Sequence, residues 1–258
     1  KKMIPLSNAL RKTGIDLRKK FFKSIHEAFG GNLNQIVCGG APIRPEIGKF
    51  FNDIGITLLN GYGITECSPL VSVNRANFND SSTVGVILPC CEVKIENKTA
   101  DGDGEIYVKG DIVMKGYYKE PEKTAKVLKD GWFNTEDYGR INEKGQLIIN
   151  GRKKNLIVLD NGKNIYPEEI ENYIMGIPYV KEVLVKASKN AAGQETALIA
   201  EVFLDKEKIE EMHIENIKET LKKDVQDSVR ELPVYKHISD VKIRKNEFEK
   251  TTTSKIKR

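Results

Sequence analysis

Apolar residues Leu17, Phe21, Phe22, Ile25, Ala28 and Phe29 fall on one face at helical spacing, and Gly30-Gly31 ends the pattern. The spacing predicts one amphipathic helix over 16–29. A short apolar run, 33–38, reads as a strand that ends in Gly39-Gly40-Ala41-Pro42. Pro45, a residue favoured in the first turn, opens a helix that runs to Asp53 and stops at Gly55. The run 56–59 is a second strand. Strand, helix and strand at this spacing make a βαβ unit, so the two strands are expected to be parallel and buried. Both run out into glycine-containing loops at their C-terminal ends, the edge where ligands of open α/β sheets collect.

Over 84–149 the pattern changes to short alternating segments. Runs 91–96 and 105–109 flank the turn Asp101-Gly102-Asp103-Gly104, 120–129 reads as a short helix, and Ile141 and 146–149 bracket a turn at Glu143-Lys144-Gly145. This is a small antiparallel or barrel-like β subdomain. A boundary is expected at Gly151-Arg152-Lys153-Lys154. Beyond it come a hairpin around Asp160-Asn161-Gly162, a helix over 167–175, strands over 180–187 and 197–203, a helix over 214–229 and a strand near Val241. The predicted organisation is thus α/β: a larger part, residues 1–151, holding the βαβ unit and the β subdomain, then a small α+β domain, residues 152–258.

Composition adds little to this picture. Of the 258 residues, 39% are hydrophobic and 31% charged, as in an ordinary soluble globular protein. No run reaches the roughly 18 apolar residues of a membrane span, and the first residues lack the apolar core of a signal peptide. Cys38, Cys67, Cys90 and Cys91 form no CxxC, so free thiols in a reducing cytoplasm are expected. Charge is more telling. Residues 241–258 carry seven lysines and arginines against two glutamates, a balance of +5 that equals the net charge of the whole chain. Such an end can be a solvated tail, a nucleic-acid arm or a segment that meets phosphate.

Common catalytic motifs are absent: there is no GxxxxGK[ST], no GxGxxG and no HExxH. Asp101–Gly104 lacks the further ligands of a calcium loop and reads as a hairpin turn. His26, His213 and His237 have no nucleophile nearby and sit in surface-like or helical contexts. The stretch Leu59-Asn60-Gly61-Tyr62-Gly63-Ile64-Thr65-Glu66 stands out instead. It predicts a turn needing two glycines that presents an aromatic ring, a hydroxyl and a carboxylate together, a set suited to a purine, a phosphate and a divalent cation. A Gly-Tyr-Gly turn with a buried structural tyrosine fits the same letters.

Further segments come in order: Trp132-Phe133-Asn134-Thr135-Glu136-Asp137, then Gly151-Arg152-Lys153-Lys154, then Gly162-Lys163-Asn164-Ile165-Tyr166-Pro167-Glu168-Glu169, and finally 251–258 with Lys255. Together the series resembles the adenylate-forming superfamily of acyl-CoA synthetases, peptide-synthetase adenylation domains and luciferases, along essentially the whole chain. The resemblance implies a part of the large adenylation domain followed by a small C-terminal lid domain. It implies that Gly40, Ala41 and Pro42 line the adenine pocket, that Tyr62 with Gly63 packs on the adenine ring, and that Thr65 meets the α-phosphate. Glu66 is similar to the magnesium ligand, Asp137 to the carboxylate that holds the ribose hydroxyls, and Arg152 to its support. Lys154 stands where the family has its hinge, and Lys255 where it has its catalytic lysine.

The resemblance further implies a ligase using ATP, Mg²⁺ and CoA, with Lys255, Thr65 and Glu66 as catalytic groups and a long-chain fatty acid as substrate. Transfer to an acyl-carrier protein is the alternative within the class, and a catalytically silent nucleotide-binding or scaffold module the alternative outside it. The expected partners are the substrates and the missing N-terminal part of the same protein, with peripheral membrane contact allowed and no nucleic acid. A nucleic-acid arm lacks aromatic interleaving and any recognised motif. Three departures stand against the pattern. Glu136 replaces the glycine usual before the ribose aspartate, Ser254 replaces the glycine usual before the lysine, and the Ser/Thr/Gly-rich phosphate loop that precedes these motifs is absent. On that basis the chain is expected to be a C-terminal portion that does not turn over by itself.

Overall fold

Ile36 and Val37 on one run and Leu58 and Leu59 on another pair edge to edge, Cys38 ending opposite Asn60, as two parallel strands. They belong to a computed structural model that describes residues 3–99, 102–160, 162–189, 193, 195–251 and 256–258. The chain forms two compact units, Lys1–Ile149 and Asn150–Arg258.

In the first unit, helices α1 (Met3–Lys12), α2 (Arg18–Phe21) and α3 (Lys23–Ala28) precede β1 (Gln35–Cys38), α4 (Pro45–Ile54) and β2 (Thr57–Gly63). The single helix expected over 16–29 is therefore two, broken at Phe22. Anchors lie on both sides of the break. The Arg18 guanidinium is held by Asp16 and donates to the Asn52 carbonyl at 2.6 Å, and the His26 ring lies 2.8 Å from the Ile54 carbonyl. His26, expected in a surface-like or helical context, lies in α3 and is buried. α4 agrees with its signals: Pro45 starts it, and Gly55 ends it in the left-handed conformation, φ 94°.

β2 continues into the antiparallel strands β3 (Leu70–Val73) and β4 (Val86–Ile87), giving a four-stranded sheet in the order β1-β2-β3-β4. A five-stranded sheet comes next, built from β5 (Cys91–Glu96), β6 (Gly104–Gly110), β7 (Leu128–Lys129), β8 (Trp132–Ile141) and β9 (Leu147–Arg152), with α5 (Pro121–Val127) entering β7. Ile106, Val108, Phe133, Leu147, Cys67 and Val71 form its core. The unit boundary falls inside β9. Gln146, 1% exposed, donates to the Phe78 carbonyl, and Asn74 donates to the carbonyls of Asp80 and Thr83, so buried amides fix the loop between β3 and β4.

The second unit opens with the hairpin β10 (Ile157–Val158) and β11 (Asn164–Ile165), then α6 (Pro167–Ile174), β12 (Val180–Lys189) and β13 (Glu195–Leu204). Helices α7 (Lys206–Glu211) and α8 (Ile217–Ser228) lead to β14 (Ile238–Ile243), which pairs parallel to β13. Ile165, Ile170, Ile174, Leu198, Leu221 and Val225 are almost wholly buried between α6, α8 and this sheet. Each was legible as an apolar helix or strand position. α1 and α7 are additional elements. No helix among the described residues is long and apolar enough to cross a membrane.

Candidate active site

The stretch around Tyr62 is not a turn through its glycines. Gly61, Tyr62 and Gly63 extend β2, pairing with Val73, Ser72 and Leu70 of β3. Neither glycine needs positive φ; each is needed for close approach. A Cβ on Gly61 would lie 3.1 Å from the Ser72 carbonyl oxygen, and one on Gly63 only 2.2 Å from that of Pro69. The turn comes one step later, as a 3-10 turn Thr65–Cys67 closed by Ser68 in the left-handed region. This exposes Thr65 and leaves Glu66 half-buried.

The neighbouring loop is set by the parallel pairing of β1 and β2. Gly39 approaches Gly61 so closely that a Cβ would meet its carbonyl oxygen at 3.2 Å, and Gly40 sits at φ 82°. Gly40, Ala41 and Pro42 are exposed at the C-terminal end of β1, beside the strand that carries Tyr62.

Asp137 reaches the same place from β8. Between Glu105/Tyr138 and Tyr107/Asn134 the pairing of β6 with β8 shifts, so that Thr135, Glu136 and Asp137 stand opposite Ile106 alone. This bulge turns a strand residue toward the site. Glu136 sits within it at φ 58°, in the left-handed region that favours glycine, and its amide donates to Asn134 Oδ1 at 2.8 Å. Thr135 Oγ1 donates to the Ile106 carbonyl and accepts from the Asp137 amide. Asp137, 4% exposed, accepts a 2.5 Å hydrogen bond from the Tyr62 hydroxyl through Oδ2. Burial pushes the Tyr62 phenol well above its usual range, and the Asp137 charge adds to the shift, so the hydroxyl stays protonated and donates.

Glu66 is held from a third side by a residue the motif reading missed. Tyr117 donates to Glu66 Oε1 at 2.9 Å, and the Met114 amide donates to the Glu66 carbonyl at 2.8 Å. Tyr117 is itself set by its amide, which donates to Thr124 Oγ1. Gly116 lies so close to Thr124 that a Cβ there would meet its Cγ2 at 2.9 Å. Among the described residues no three His, Cys, Asp or Glu side chains cluster to hold a metal. A lone carboxylate still suits Mg²⁺, which keeps several waters and takes one or two carboxylates plus phosphate oxygens. Cys67 beside it is buried, and burial raises its thiol to about 12, so it stays a neutral, inert core residue. Asn60 is also structural: it is buried and donates toward the Thr83 carbonyl.

The first unit thus brings together Tyr62, Asp137, Thr65, Glu66 and the Gly40–Pro42 loop. Arg152 and Lys154 belong to the second unit, Lys154 exposed in a 3-10 turn Lys153–Asn155. Lys255 and Ser254 lie outside the described residues.

Two family models account for most of this chain: that of AMP-binding enzymes matches residues 6–118, and that of the AMP-binding enzyme C-terminal domain matches residues 154–258. The chain belongs to the AMP-binding enzyme family. It is 35% identical to the long-chain-fatty-acid–CoA ligase FadD15 of Mycobacterium bovis over 164 residues, 64% of this chain and 26% of that protein. To a chloroplastic long-chain-fatty-acid–acyl-carrier-protein ligase of Arabidopsis thaliana it is 34% identical over 231 residues, 83% of this chain and 31% of that one. Its fold matches the adenylation domain of a Mycobacterium chelonae carboxylate reductase with a TM-score of 0.76 at 25% identity, covering 90% of this chain and 37% of the other. The chain spans about a quarter to a third of the length of the curated relatives it matches. The mixed α/β architecture expected from the sequence is therefore that of an adenylation enzyme.

Proposed function

We propose that this chain is the C-terminal portion of an AMP-forming ligase that activates a long-chain fatty acid with ATP and passes the acyl group to CoA. The single observation that carries the reading is the Tyr62–Asp137 contact, which sets an aromatic ring and a buried carboxylate side by side at the C-terminal edge of the sheet. Tyr62 offers its ring to the adenine. Asp137 offers a carboxylate oxygen to the ribose hydroxyls, a charge-assisted bond that a buried acceptor makes strongly. Thr65, exposed just beyond, donates to the α-phosphate in this reading.

The reaction places a carboxylate oxygen on the α-phosphorus and expels pyrophosphate; a thiolate then displaces AMP from the acyl carbonyl. Negative charge builds on the phosphate in the first step, where fixed cations and donors act most strongly. Lys255 supplies the ammonium in this reading. Glu66, steadied by Tyr117, is the residue that would hold Mg²⁺, which when bound neutralises phosphate charge. Arg152 supports the ribose contact, and Lys154 is the hinge about which the second unit turns between the two half-reactions. The four free thiols suit a reducing cytoplasm.

The fatty-acid and CoA assignments take support from the relatives' names. The Arabidopsis relative favours one second reading, in which the acceptor is the thiol of an acyl-carrier protein. The experiment joins this chain to the upstream region of a homologous fatty-acid ligase and measures carboxylate-dependent ATP–pyrophosphate exchange, then acyl transfer to CoA and to acyl-carrier protein. Exchange in the chimera and none in this chain alone is the expected result. Turnover by this chain alone would refute its role as a portion, and a chimera that folds but does not exchange would refute the ligase reading.

A further inference from the structure

Glu66 is gripped twice by one short segment. The Met114 amide donates to its carbonyl at 2.8 Å, and three residues on, the Tyr117 hydroxyl donates to its Oε1 at 2.9 Å. Main chain and carboxylate are thus fixed together, on a turn that the Cys67 amide closes against the Ile64 carbonyl. Among the described residues, no hydrogen bond or ion pair reaches Glu66 Oε2.

The grip has a foundation of its own at the start of α5. The Tyr117 amide donates to Thr124 Oγ1 at 2.9 Å, and the Thr124 hydroxyl donates at 2.9 Å to the Glu120 carbonyl. The Glu120 amide returns to the Tyr117 carbonyl at 3.2 Å. Lys123 Nζ lies 4.7 Å from the centre of the Tyr117 ring. Tyr117 is therefore held at its main chain, its ring and its hydroxyl, whereas the next tyrosine, Tyr118, is 86% exposed.

Divalent cations differ in how many oxygens of one carboxylate they take. Ca²⁺ accepts roughly six to eight ligands in a flexible shell and readily takes both oxygens, while the small octahedral shell of Mg²⁺ suits one oxygen beside waters and phosphate. A cation that takes both oxygens of Glu66 has to displace the Tyr117 hydroxyl, and a hydrogen bond to a charged acceptor is among the stronger ones. We infer that Tyr117 is a positioning residue that sets metal specificity: by occupying Oε1 of Glu66 it presents Oε2 alone to a cation, and so favours Mg²⁺ over Ca²⁺. The inference rests on the role proposed above for Glu66.

Amide exchange on the intact chain, with neither metal nor nucleotide, tests the grip first. Tyr117→Phe should raise exchange at the Met114 amide about tenfold, the effect of losing one hydrogen bond to a charged group, while β5, β6 and β8 keep their protection. Unchanged exchange at Met114, or equal loss across the sheet, would overturn the inference. Specificity is read in the chimera by calorimetry, as the ratio of dissociation constants in Mg²⁺ and in Ca²⁺ for an ATP analogue with a methylene bridge between the α- and β-phosphates. Tyr117→Phe should narrow the preference for Mg²⁺ about tenfold. A ratio equal to the parent's, or equal weakening in both ions, would overturn the inference. Should Tyr117→Phe fail to fold, Thr124→Val removes the acceptor of the Tyr117 amide and faces the same outcomes. Glu66→Gln separates the two readings: a parent-like dependence on metal would sink Glu66 as the metal ligand and the inference with it. Loss of that dependence in Glu66→Gln, together with a parent-like ratio in Tyr117→Phe, would sink the inference alone.

Discussion

Glu136 shows how one residue can carry a family's geometry without the family's amino acid. Its φ of 58° is where an L side chain is strained by about 1 kcal/mol and glycine is not. The sequence marked the missing glycine; only the structure supplies the reason, a bulge that aims Asp137. Glu136→Gly should therefore stabilise the first unit by about 0.5–1 kcal/mol, and Glu136→Val should destabilise it by about 1–2 kcal/mol, read from urea midpoints. Equal midpoints for all three would show that the bulge stores no strain. Tyr62→Phe keeps the ring and deletes the donor to Asp137, which should lower stability by about 1.5–3 kcal/mol and weaken AMP binding in calorimetry. If stability and binding both match the parent, the hydroxyl contact has no part in the site.

At the scale of elements, the periodic runs were legible and their interruptions were not. α4, α6, α8 and the strands β1, β2, β5, β6, β12 and β13 follow from apolar spacing and from Pro and Gly at their ends, whereas β3, β4, β7 and most of β8 had no such signal. The split at Phe22 depends on Arg18 and His26 reaching carbonyls of α4, contacts that no local pattern contains. Gly61 and Gly63 announced a special backbone, yet the reason is the approach of β3 and the Pro69 carbonyl, which lie later in the chain. Tyr117 escaped the motif reading for the same cause, because its partner Glu66 is far away in sequence.

The contact between α6 and β12 carries a pH dependence. Burial raises the Glu171 carboxyl from 4.5 to about 7, against the opposing pull of Arg258 and the Val185 amide, while Glu168 nearby adds to the rise. The folded unit thus holds this proton more tightly than the unfolded chain does. As pH climbs from about 4.5 to about 7, the folded state binds more protons than the unfolded one, so this group makes stability fall, by about 3 kcal/mol at most. Urea midpoints of the parent chain and of Glu171→Gln at about pH 5 and about pH 8 check the sign. The parent should lose more on going to the higher pH; a parallel decline in both would place the effect elsewhere.

For the whole molecule, the order of motifs along the chain was the most legible feature, because chemistry fixes residue types even where packing hides. Asp137 and Tyr62, the residues proposed for the ribose and the adenine, were named from the sequence; their direct hydrogen bond was not. At the basic end, Arg244, Lys250 and Arg258 pair with Glu201, Glu182 and Glu171, contacts that its charge alone did not reveal. Two units, the first holding Tyr62, Thr65, Glu66 and Asp137 and the second Arg152, Lys154 and Lys255, suit the proposed reaction, in which one cation serves the first step and leaves before the second. Lys255→Ala in the chimera, with the two half-reactions measured separately, decides whether that cation is Lys255. ATP–pyrophosphate exchange should fall by about 10²- to 10³-fold while thioester formation from supplied acyl-adenylate is spared; equal loss in both half-reactions would contradict the assignment.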